Sequence, residues 1–401
     1  MCLRSNALTS SWRTQNLQQY PPQNNTAKRK RILVLSAYDT ESHRLWRTRL
    51  ESMLPAFDWQ HLSLPARNFS FRIRSNSLQW AFGDYKPLQE QYDAILATSM
   101  VDLASLRGLR PALAQIPTVV YFHENQFDFP LNRQRASNIE PKLVPIYAAL
   151  CADRVVFNSE YNRSSFLAGV KRLLKSLPDK LDASIINKLA ASLVIPVPLA
   201  SREFCAPPLV SDDPVLEVLW NHRWEHDKGP ELLLNVLEKL QQSTLPVRFH
   251  LAGKQFRNQP GVFADIDATL DAIAAQRQLR RGQFGFLPDR QLYLDLLKRC
   301  DVVLSTALHE FQGLALQEAC ALGCTPVAPD RLVYPEYLSS EFLYRVCASS
   351  ATTAEAIVQR LSLLQSRKAC AEELPKASMR LYLDTSLKAS YEDLLNAVMK
   401  K

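Results

Sequence analysis

The alternation of short apolar runs with helix-like segments constrains the fold more than any other feature of this 401-residue chain. In the first half, β-branched runs lie at 31–37, 92–99, 116–124, 153–160 and 192–198. The segments between them show helical periodicity, as at 42–54, where Ser42 is a possible N-cap. This pattern predicts βαβ units with a parallel sheet.

The alternation then starts again in the second half. Strand-like runs lie at 215–223, 246–253, 282–287, 301–306 and 324–329, and helical patterns lie at 230–243, 264–279, 290–300 and 313–322. We therefore predict two tandem doubly wound α/β domains. The expected layout is a disordered basic tail at 1–30, an N-terminal domain at 31–204, a Pro-rich linker at 205–214, a C-terminal domain at 215–374 and a helical segment at 375–401. The last segment can pack on either domain, including a return to the N-terminal one.

Composition excludes several classes of protein. The chain has only ten glycines and contains neither GxGxxG nor GxxxxGK[ST], which argues against a dinucleotide dehydrogenase or a P-loop enzyme. No apolar run reaches the roughly 18 residues that a membrane span needs, and the N-terminus lacks the apolar core of a secretory signal. The eight scattered cysteines show no CxxC spacing. A cytoplasmic protein without stable membrane insertion is expected.

The formal net charge of +8 favours polyanionic partners such as nucleic acid, nucleotides or anionic lipid, although an ordinary charge imbalance explains it equally well. Ligands of open parallel sheets bind outside the carboxyl ends of the strands. Two such domains facing each other form a cleft, which is the expected ligand site.

The stretch HEFQGLALQEACALGC holds two carboxylates, Glu310 and Glu318, with seven residues between them. In a helix that begins near Gly313, Glu318 shares a face with apolar side chains. An unpaired buried carboxylate is costly, so Glu318 needs a partner. The partner is either the hydroxyls of a ribose or an arginine, and the sequence leaves both open.

Three features of the second domain suit a nucleoside-diphosphate sugar. Gly313 allows close backbone approach, and the N–H groups of 313–315 can bind phosphate. Arg223 and Lys228 follow the first strand of this domain and supply two cations for a diphosphate. Solvated loop cations are the alternative. His222 and His226 lack a third ligand at a useful spacing, so no metal is expected.

The strand ends of the first domain supply candidate residues for the opposite wall of the cleft. His123 follows a strand and can orient a donor sugar or assist at the reacting centre, although a strand-end histidine satisfied by the backbone is equally plausible. The acceptor side is predicted to comprise eight residues: Asp39, Ser42, His43, Arg67, Arg72, Arg74, Glu124 and Asn125.

The segment 64–82 combines basic and aromatic residues. Arg67, Arg72 and Arg74 alternate with Phe69, Phe71 and Ile73, and Trp80 follows. Arginines can contact phosphates and exposed aromatics can stack on an unstacked base, which favours an RNA acceptor. The period of two suits an edge strand equally well, with aromatics inward and arginines outward.

Arg223, Lys228, Glu310 and Glu318 together resemble the retaining glycosyltransferases of the GT-B fold, which have two tandem Rossmann-like domains. The resemblance implies that Glu318 binds ribose, Glu310 the donor hexose, and Arg223 with Lys228 the leaving diphosphate. It places Phe286 and Leu287 near the base. The donor-binding set is completed by Gly253, Gly313, Leu314 and Ala315, and the catalytic set by His123, Arg223, Lys228 and Glu310.

A narrower resemblance rests on SLPARNFSFRIR (63–74), ATSMVDLASLRGL (97–109), YFHENQF (121–127) and PDRLVYPE (329–336). These stretches look like the tRNA-queuosine α-mannosyltransferase family. The family implies GDP-mannose as donor, the cyclopentenediol of queuosine at the tRNA wobble position as acceptor, and neither an enzyme nucleophile nor a metal or other cofactor. One departure is that Thr40 and Glu41 stand where animal members have paired glycines.

Two alternatives remain open at the level of sequence. A GT-B glycosyltransferase with a lipid or polysaccharide acceptor would need an apolar-basic docking helix, for which 169–193 is a candidate. A non-catalytic RNA-binding protein on the same fold would not need the four residues of the donor site.

Overall fold

The computed structural model describes residues 29–128, 139–178, 182, 184–204, 213–256 and 259–400. These residues form two α/β domains, each built on a parallel sheet. Apart from residues 29–30 and 213–214, the predicted tail and linker lie outside the described residues.

The first domain contains a six-stranded sheet in the order β2-β1-β3-β4-β5-β6. Its strands are β1 (Arg31–Asp39), β2 (Asp58–Pro65), β3 (Ala94–Thr98), β4 (Thr118–Phe122), β5 (Arg154–Phe157) and β6 (Leu193–Val194). Its helices are α1 (Glu41–Met53), α2 (Phe69–Phe82), α3 (Leu103–Leu109), α4 (Glu140–Cys151), α5 (Glu160–Ser176) and α6 (Ser184–Ala190). The central strands are apolar on both faces because helices cover both.

The second domain contains a five-stranded sheet in the order β11-β10-β9-β7-β8. Its strands are β7 (Leu216–Trp220), β8 (Val247–Leu251), β9 (Val302–Leu304), β10 (Thr325–Pro329) and β11 (Leu343–Tyr344). Its helices are α7 (Pro230–Gln241), α8 (Val262–Gln276), α9 (Arg290–Arg299), α10 (Leu314–Ala321) and α11 (Ser350–Ala369).

The last helix, α12 (Asp384–Met399), returns to the first domain. Its buried face joins α1 and the sheet in one apolar cluster, while α2 to α6 cover the opposite face of that sheet. Tyr391 fixes the contact, since its hydroxyl accepts a hydrogen bond from Trp46 Nε1 at 3.1 Å and donates one to the carbonyl of Pro196 at 2.9 Å. The chain therefore crosses between the domains twice.

The edge-strand interpretation of 64–82 is wrong. Residues 69–82 form helix α2, and β2 takes the edge of the sheet instead, ending at Pro65. The buried residues of α2 recur at spacings of three and four, with Ile73, Asn76, Ser77 and Trp80 facing the core. Asn76 is tolerated there because its amide donates to the carbonyls of Arg72, Ile73 and Met100.

Three smaller predictions also need correction. Thr40, two residues earlier than expected, caps α1 in place of Ser42. The run at 282–287 is not a strand but makes a single bridge from Phe284 to Leu251, since its two glycines weaken strand pairing. The terminal segment becomes helical only at Asp384.

The candidate docking helix at 169–193 is two separate helices, α5 and α6, whose residues Val170 and Leu189 belong to the core of the first domain. This removes its support for a lipid acceptor. Within the described ranges, every helix is too short or too polar to cross a membrane.

Candidate functional site

A cavity of about 360 Å³ lies between the two domains. Strand ends of both sheets line it, as expected for parallel sheets that face each other. The first domain contributes the loop at Thr40–His43 together with His123, Glu124 and Asn158. The second domain contributes the loops after β7, β8 and β9 and the start of α10.

The structure brings most of the predicted site residues to this cavity. The lining includes His123 and every predicted donor-site residue: Arg223, Lys228, Gly253, Phe286, Leu287, Glu310, Gly313, Leu314, Ala315 and Glu318. Of the predicted acceptor side, Ser42, His43 and Glu124 line it. Their roles in binding and catalysis stay predictions.

Five predicted acceptor-side residues lie elsewhere: Asp39, Arg67, Arg72, Arg74 and Asn125. Asn125 is fully buried and holds its own loop, donating to Asn162 and accepting from the N–H of Phe127. Asp39 pairs with Arg47 at 2.7 Å. These two side chains have structural partners and do not reach the cleft.

Lys228 and Glu310 form a buried ion pair at the centre of the cavity wall. Lys228 Nζ donates to Glu310 Oε2 at 3.1 Å and to the carbonyl of His309 at 2.9 Å. Burial raises the pKa of Glu310, but Lys228 and nearby groups lower it more, to about 2. Burial lowers the pKa of Lys228, whereas Glu310 and Asp227 raise it to a net value above the usual range. Both groups are therefore charged at neutral pH.

Arg223 differs from Lys228 in its freedom to move. Its side chain is 47% exposed and pairs with Glu225 at 3.0 Å. A partly exposed guanidinium can turn toward a bound anion at little cost, whereas Lys228 is held in place by its partners. The two cations therefore offer one mobile and one fixed contact to a diphosphate.

The N-terminus of α10 faces the same cavity. Gly313 adopts φ +77°, and a Cβ atom there would lie 2.8 Å from the hydroxyl oxygen of Tyr337. No side chain caps this helix, so the first N–H groups at 314–315 remain available to a ligand. Together with Arg223 and Lys228 they form a site suited to a phosphate group.

Glu318 takes the arginine alternative. Arg290 donates to both of its oxygens, at 2.8 and 3.1 Å, and Arg49 of the first domain donates to Oε1 at 2.8 Å. Burial raises the pKa of Glu318, but the two guanidinium groups lower it more, to a net value below the usual range. The two arginines therefore compensate this charge without a bound ribose.

Glu318 still lines the cavity, and its hydrogen-bonding capacity is not exhausted. A carboxylate offers about four acceptor positions, of which the two arginines occupy three. One position remains on Oε2. A ribose can therefore donate one hydroxyl to Glu318, not the two that the sequence argument assumed.

Sequence reasoning missed Arg49 and Arg290. Arg49 lies on the buried face of α1 with Trp46, Leu50 and Met53, so its place on an apolar helical stripe was a usable signal. Arg290 opens α9 after Asp289, and nothing local marks it. Both acquire their role only through tertiary contact with Glu318.

Two stacked histidines form the wall opposite the cations. The rings of His43 and His123 lie 4.2 Å apart, and Trp46 packs edge-on against His123 at 4.6 Å. Burial lowers the pKa of His43 to about 4 and that of His123 well below 6.5. His43 Nδ1 and His123 Nε2 have no hydrogen-bond partner within the described part of the chain. These two nitrogens are themselves buried, and the two neutral imidazole rings line the cavity.

The two histidines that raised the question of a metal do not converge. His222 Nε2 lies 2.9 Å from the hydroxyl of Ser305, whereas His226 is exposed beside Glu231. The described ranges contain no group of three His, Cys, Asp or Glu side chains that could hold an ion. Independence from metal stays a prediction.

Comparisons with known proteins show the family of this chain. Residues 31–199 match the family model of the tRNA-queuosine alpha-mannosyltransferase N-terminal domain, and residues 204–377 match that of the group 1 glycosyl transferases. The protein is therefore a glycosyltransferase. A curated relative, the tRNA-queuosine alpha-mannosyltransferase of Drosophila melanogaster, is 34% identical over 322 residues, which cover 78% of this chain and 83% of that protein. The chain belongs to the tRNA-queuosine alpha-mannosyltransferase family, which confirms the resemblance found in its sequence.

Solved structures confirm the predicted GT-B fold. Anabaena HepE in complex with UDP is similar with a TM-score of 0.60 at 14% identity, covering 92% of this chain and all of that one. A trehalose-phosphate synthase from Burkholderia xenovorans is similar with a TM-score of 0.58 at 13% identity, covering 93% of this chain and 99% of that one. At such low identity, the likeness extends to the fold alone.

Proposed function

We propose that the protein transfers mannose from GDP-mannose to the cyclopentenediol of queuosine at the wobble position of a tRNA anticodon, with retention of anomeric configuration. Family membership supports the acceptor and the sugar. The observation that carries the proposal is the meeting of Arg223, Lys228, Glu310 and the uncapped N-terminus of α10 in one cleft. The location we propose is the cytoplasm, which a tRNA acceptor favours.

In this proposal the donor lies along the second domain. The diphosphate contacts Arg223, Lys228 and the N–H groups at 314–315. One ribose hydroxyl donates to the free position on Glu318. The base lies against Phe286 and Leu287, where the close approach of Gly253 to the carbonyl of His222 keeps the loop compact. Glu310 accepts hydrogen bonds from the mannose.

Bond exchange takes place on one face of the sugar. The bond from the anomeric carbon to the β-phosphate oxygen breaks, the bond to the acceptor oxygen forms, and the leaving phosphate takes the acceptor proton. Arg223, Lys228 and the α10 N–H groups stabilise the charge that develops on the diphosphate. Glu310 stays ionised but is held by Lys228, so it serves binding and not nucleophilic attack. The proposal needs no metal or other cofactor.

The acceptor diol lies against the first domain. The imidazole rings of His43 and His123 line the cavity on this side, and a neutral imidazole nitrogen can accept a hydrogen bond and position the attacking oxygen. Ser42 and Glu124 complete this wall. Burial raises the pKa of Glu124, and Arg223 opposes that effect.

Radiolabelled GDP-mannose incubated with two pools of tRNA tests the proposal. One pool comes from queuosine-replete cells and the other from cells that lack queuosine. We expect label only in the replete pool, and none when Glu310→Gln replaces the wild type. Equal label in both pools would contradict the acceptor, and label from UDP-glucose but not from GDP-mannose would contradict the donor.

A further inference from the structure

Helix α2 carries an apolar face that no described part of the chain covers. Phe71, Leu78 and Phe82 are 77%, 55% and 75% exposed. Their spacings of seven and four place them along one side of the helix. We call these three residues the α2 stripe. Single exposed apolar residues are ordinary, but an aligned set with two phenylalanines marks a contact surface.

The charge beside the α2 stripe has one sign. Residues 66–82 contain three arginines and no carboxylate. Arg74 is neutralised by Asp102 at 3.0 Å and Glu140 at 3.1 Å. Arg67 and Arg72 have no carboxylate within 4.0 Å in the described residues, and Arg72 donates only to Gln79. Two guanidinium groups are thus available to an anionic partner.

The α2 stripe begins at the rim of the candidate active site. α2 follows the carboxyl end of β2, and the ring of Phe69 meets that of Tyr38 edge-on at 5.5 Å. Tyr38 lies two residues before Thr40, where the loop that lines the cavity begins. From Phe71 to Phe82 the helix advances about 16 Å. The stripe therefore leads outward from the place where the acceptor nucleoside enters.

The size of the cavity requires such a surface. A volume of about 360 Å³ accommodates a small-molecule substrate and not a folded RNA loop. If one nucleoside enters the cleft, its neighbours along the strand must lie outside. Unpaired bases stack on exposed aromatic side chains, and their phosphates attract arginines. The α2 stripe with Arg67 and Arg72 offers both kinds of contact.

We propose that the α2 stripe, together with Arg67 and Arg72, binds the anticodon loop next to the nucleoside that enters the cleft. This inference rests on the proposed function. Phe71 and Phe82 stack on unpaired bases, and the two arginines contact their phosphates. A protein partner would fit the apolar side chains alone, whereas the single sign of charge favours a polyanion.

Binding of a fluorescein-labelled anticodon stem–loop RNA, followed by fluorescence anisotropy, tests the α2 stripe. We expect Phe71→Ala with Phe82→Ala to raise the Kd about tenfold and to leave its salt dependence unchanged. We expect Arg67→Gln with Arg72→Gln to raise the Kd and to reduce the slope of log Kd against log salt by about 1 to 2. All four side chains are outside the cavity lining, so the affinity for GDP should stay at the wild-type value.

Matched control variants come from the second domain and its C-terminal extension. Leu363→Ala with Leu381→Ala removes two apolar side chains that are 69% and 77% exposed. Arg345→Gln with Arg380→Gln removes two exposed arginines. Both controls should bind the RNA like the wild type. RNA affinity unchanged in both α2 double variants, or equally reduced in the controls, would overturn the inference.

Two further outcomes separate this inference from the proposed function. If the wild type transfers mannose and the α2 variants keep its KM for tRNA, the surface assignment fails and the transferase stands. If the α2 variants lose binding to anionic lipid vesicles but keep their affinity for RNA, the surface faces a membrane and the inference is wrong. If the wild type binds RNA through α2 but transfers no mannose, the proposed function fails instead.

Discussion

Glu318 shows how a sequence can indicate that a buried residue needs a partner without deciding which partner it has. Its apolar neighbours require that the buried charge be compensated. Compensation comes from Arg49 and Arg290, which stand 269 and 28 positions away along the chain. The side chains that neutralise a buried carboxylate are fixed by tertiary structure, so the sequence indicated the need and not the donor. The carboxylate remains at the cavity wall with one acceptor position free.

Removal of this charge should destabilise the protein. In Glu318→Gln, Arg49 and Arg290 lose one carboxylate and keep only Glu203, at 3.9 and 2.6 Å, so we expect the free energy of unfolding to fall by roughly 3 kcal/mol, the lower end of the range for a broken buried pair. The double variant Glu318→Gln with Arg49→Gln should recover part of that loss, because one uncompensated cation is removed. Urea denaturation of the wild type and the two variants measures this. Wild-type stability in the single variant would contradict the ion-pair account.

The buried histidines make stability depend on pH. Burial lowers the pKa values of His43, His222 and His309 to about 4, below the ordinary value of 6.5. Between these values the unfolded chain binds more protons, so the free energy of unfolding falls as pH decreases from 6.5 to 4. Each histidine contributes a slope of up to about 1.4 kcal/mol per pH unit in this window.

The variant His43→Phe tests that assignment. Between pH 6.5 and 4, the free energy of unfolding of this variant should fall less steeply than that of the wild type, by up to about 1.4 kcal/mol per pH unit. Urea denaturation at several pH values measures this. His226→Phe, the same substitution at an exposed histidine, is the matched control. An identical slope in wild type and His43→Phe would show that His43 does not titrate as described.

At the scale of secondary structure elements, the sequence predicted whether a segment is a helix or a strand better than it predicted which segments pack together. Runs such as 116–124 and 301–306 are β-branched and bounded by turns, and they became β4 and β9. The segment 64–82 was ambiguous because its aromatics and arginines alternate while its core residues also recur at helical spacing. Packing of Trp80 and Ile73 against the sheet decided for helix, which a local period cannot reveal. The return of α12 to the first domain is likewise a tertiary outcome.

The start of α10 should not tolerate a side chain at position 313. Gly313→Ala places a Cβ in a left-handed conformation and 2.8 Å from the Tyr337 hydroxyl, so the phosphate-facing N–H groups must shift. We expect at least a tenfold loss in kcat/KM for the donor. Gly108→Ala is the matched control, because its Cβ meets nothing within 4 Å.

The double variant Gly313→Ala with Tyr337→Phe separates the backbone strain at position 313 from the contact with the Tyr337 hydroxyl. It removes the hydroxyl that the new Cβ would meet and leaves the left-handed strain, so it should recover activity only in part. Donor kinetics of all three variants give the comparison. Wild-type kcat/KM in Gly313→Ala would contradict the assignment of this helix start to the donor site.

At the scale of the whole molecule, several contacts hold the two domains together around the cleft. Arg49 of the first domain meets Glu318 of the second, and the carboxylate of Glu336 accepts hydrogen bonds from the N–H groups of Glu160 and Tyr161 at the start of α5. Burial raises the pKa of Glu336, while the two N–H groups oppose that effect. A carboxylate at a helix N-terminus is favourable, so Glu336 stabilises this arrangement of the two domains, which we call closed.

Glu336→Gln should weaken closure without disturbing either domain. A charged contact of this kind contributes about 1 kcal/mol, which corresponds to about a fivefold rise in the donor KM if closure accompanies donor binding. The free energy of unfolding of each domain should change little. Glu341→Gln, an exposed residue of the same region, is the matched control. Equal donor KM values in Glu336→Gln and Glu341→Gln would show that this contact does not govern closure.

Nucleoside mass spectrometry of tRNA after incubation with the protein and GDP-mannose tests the central claim most directly. The account predicts that queuosine gains one hexose, that other nucleosides stay unchanged, and that GDP appears in equal amount. Lys228→Ala and Arg223→Ala should each lower this conversion by at least a hundredfold, since each removes a cation from the leaving diphosphate. Unmodified queuosine after incubation with the wild type, or conversion that survives in both variants, would contradict it.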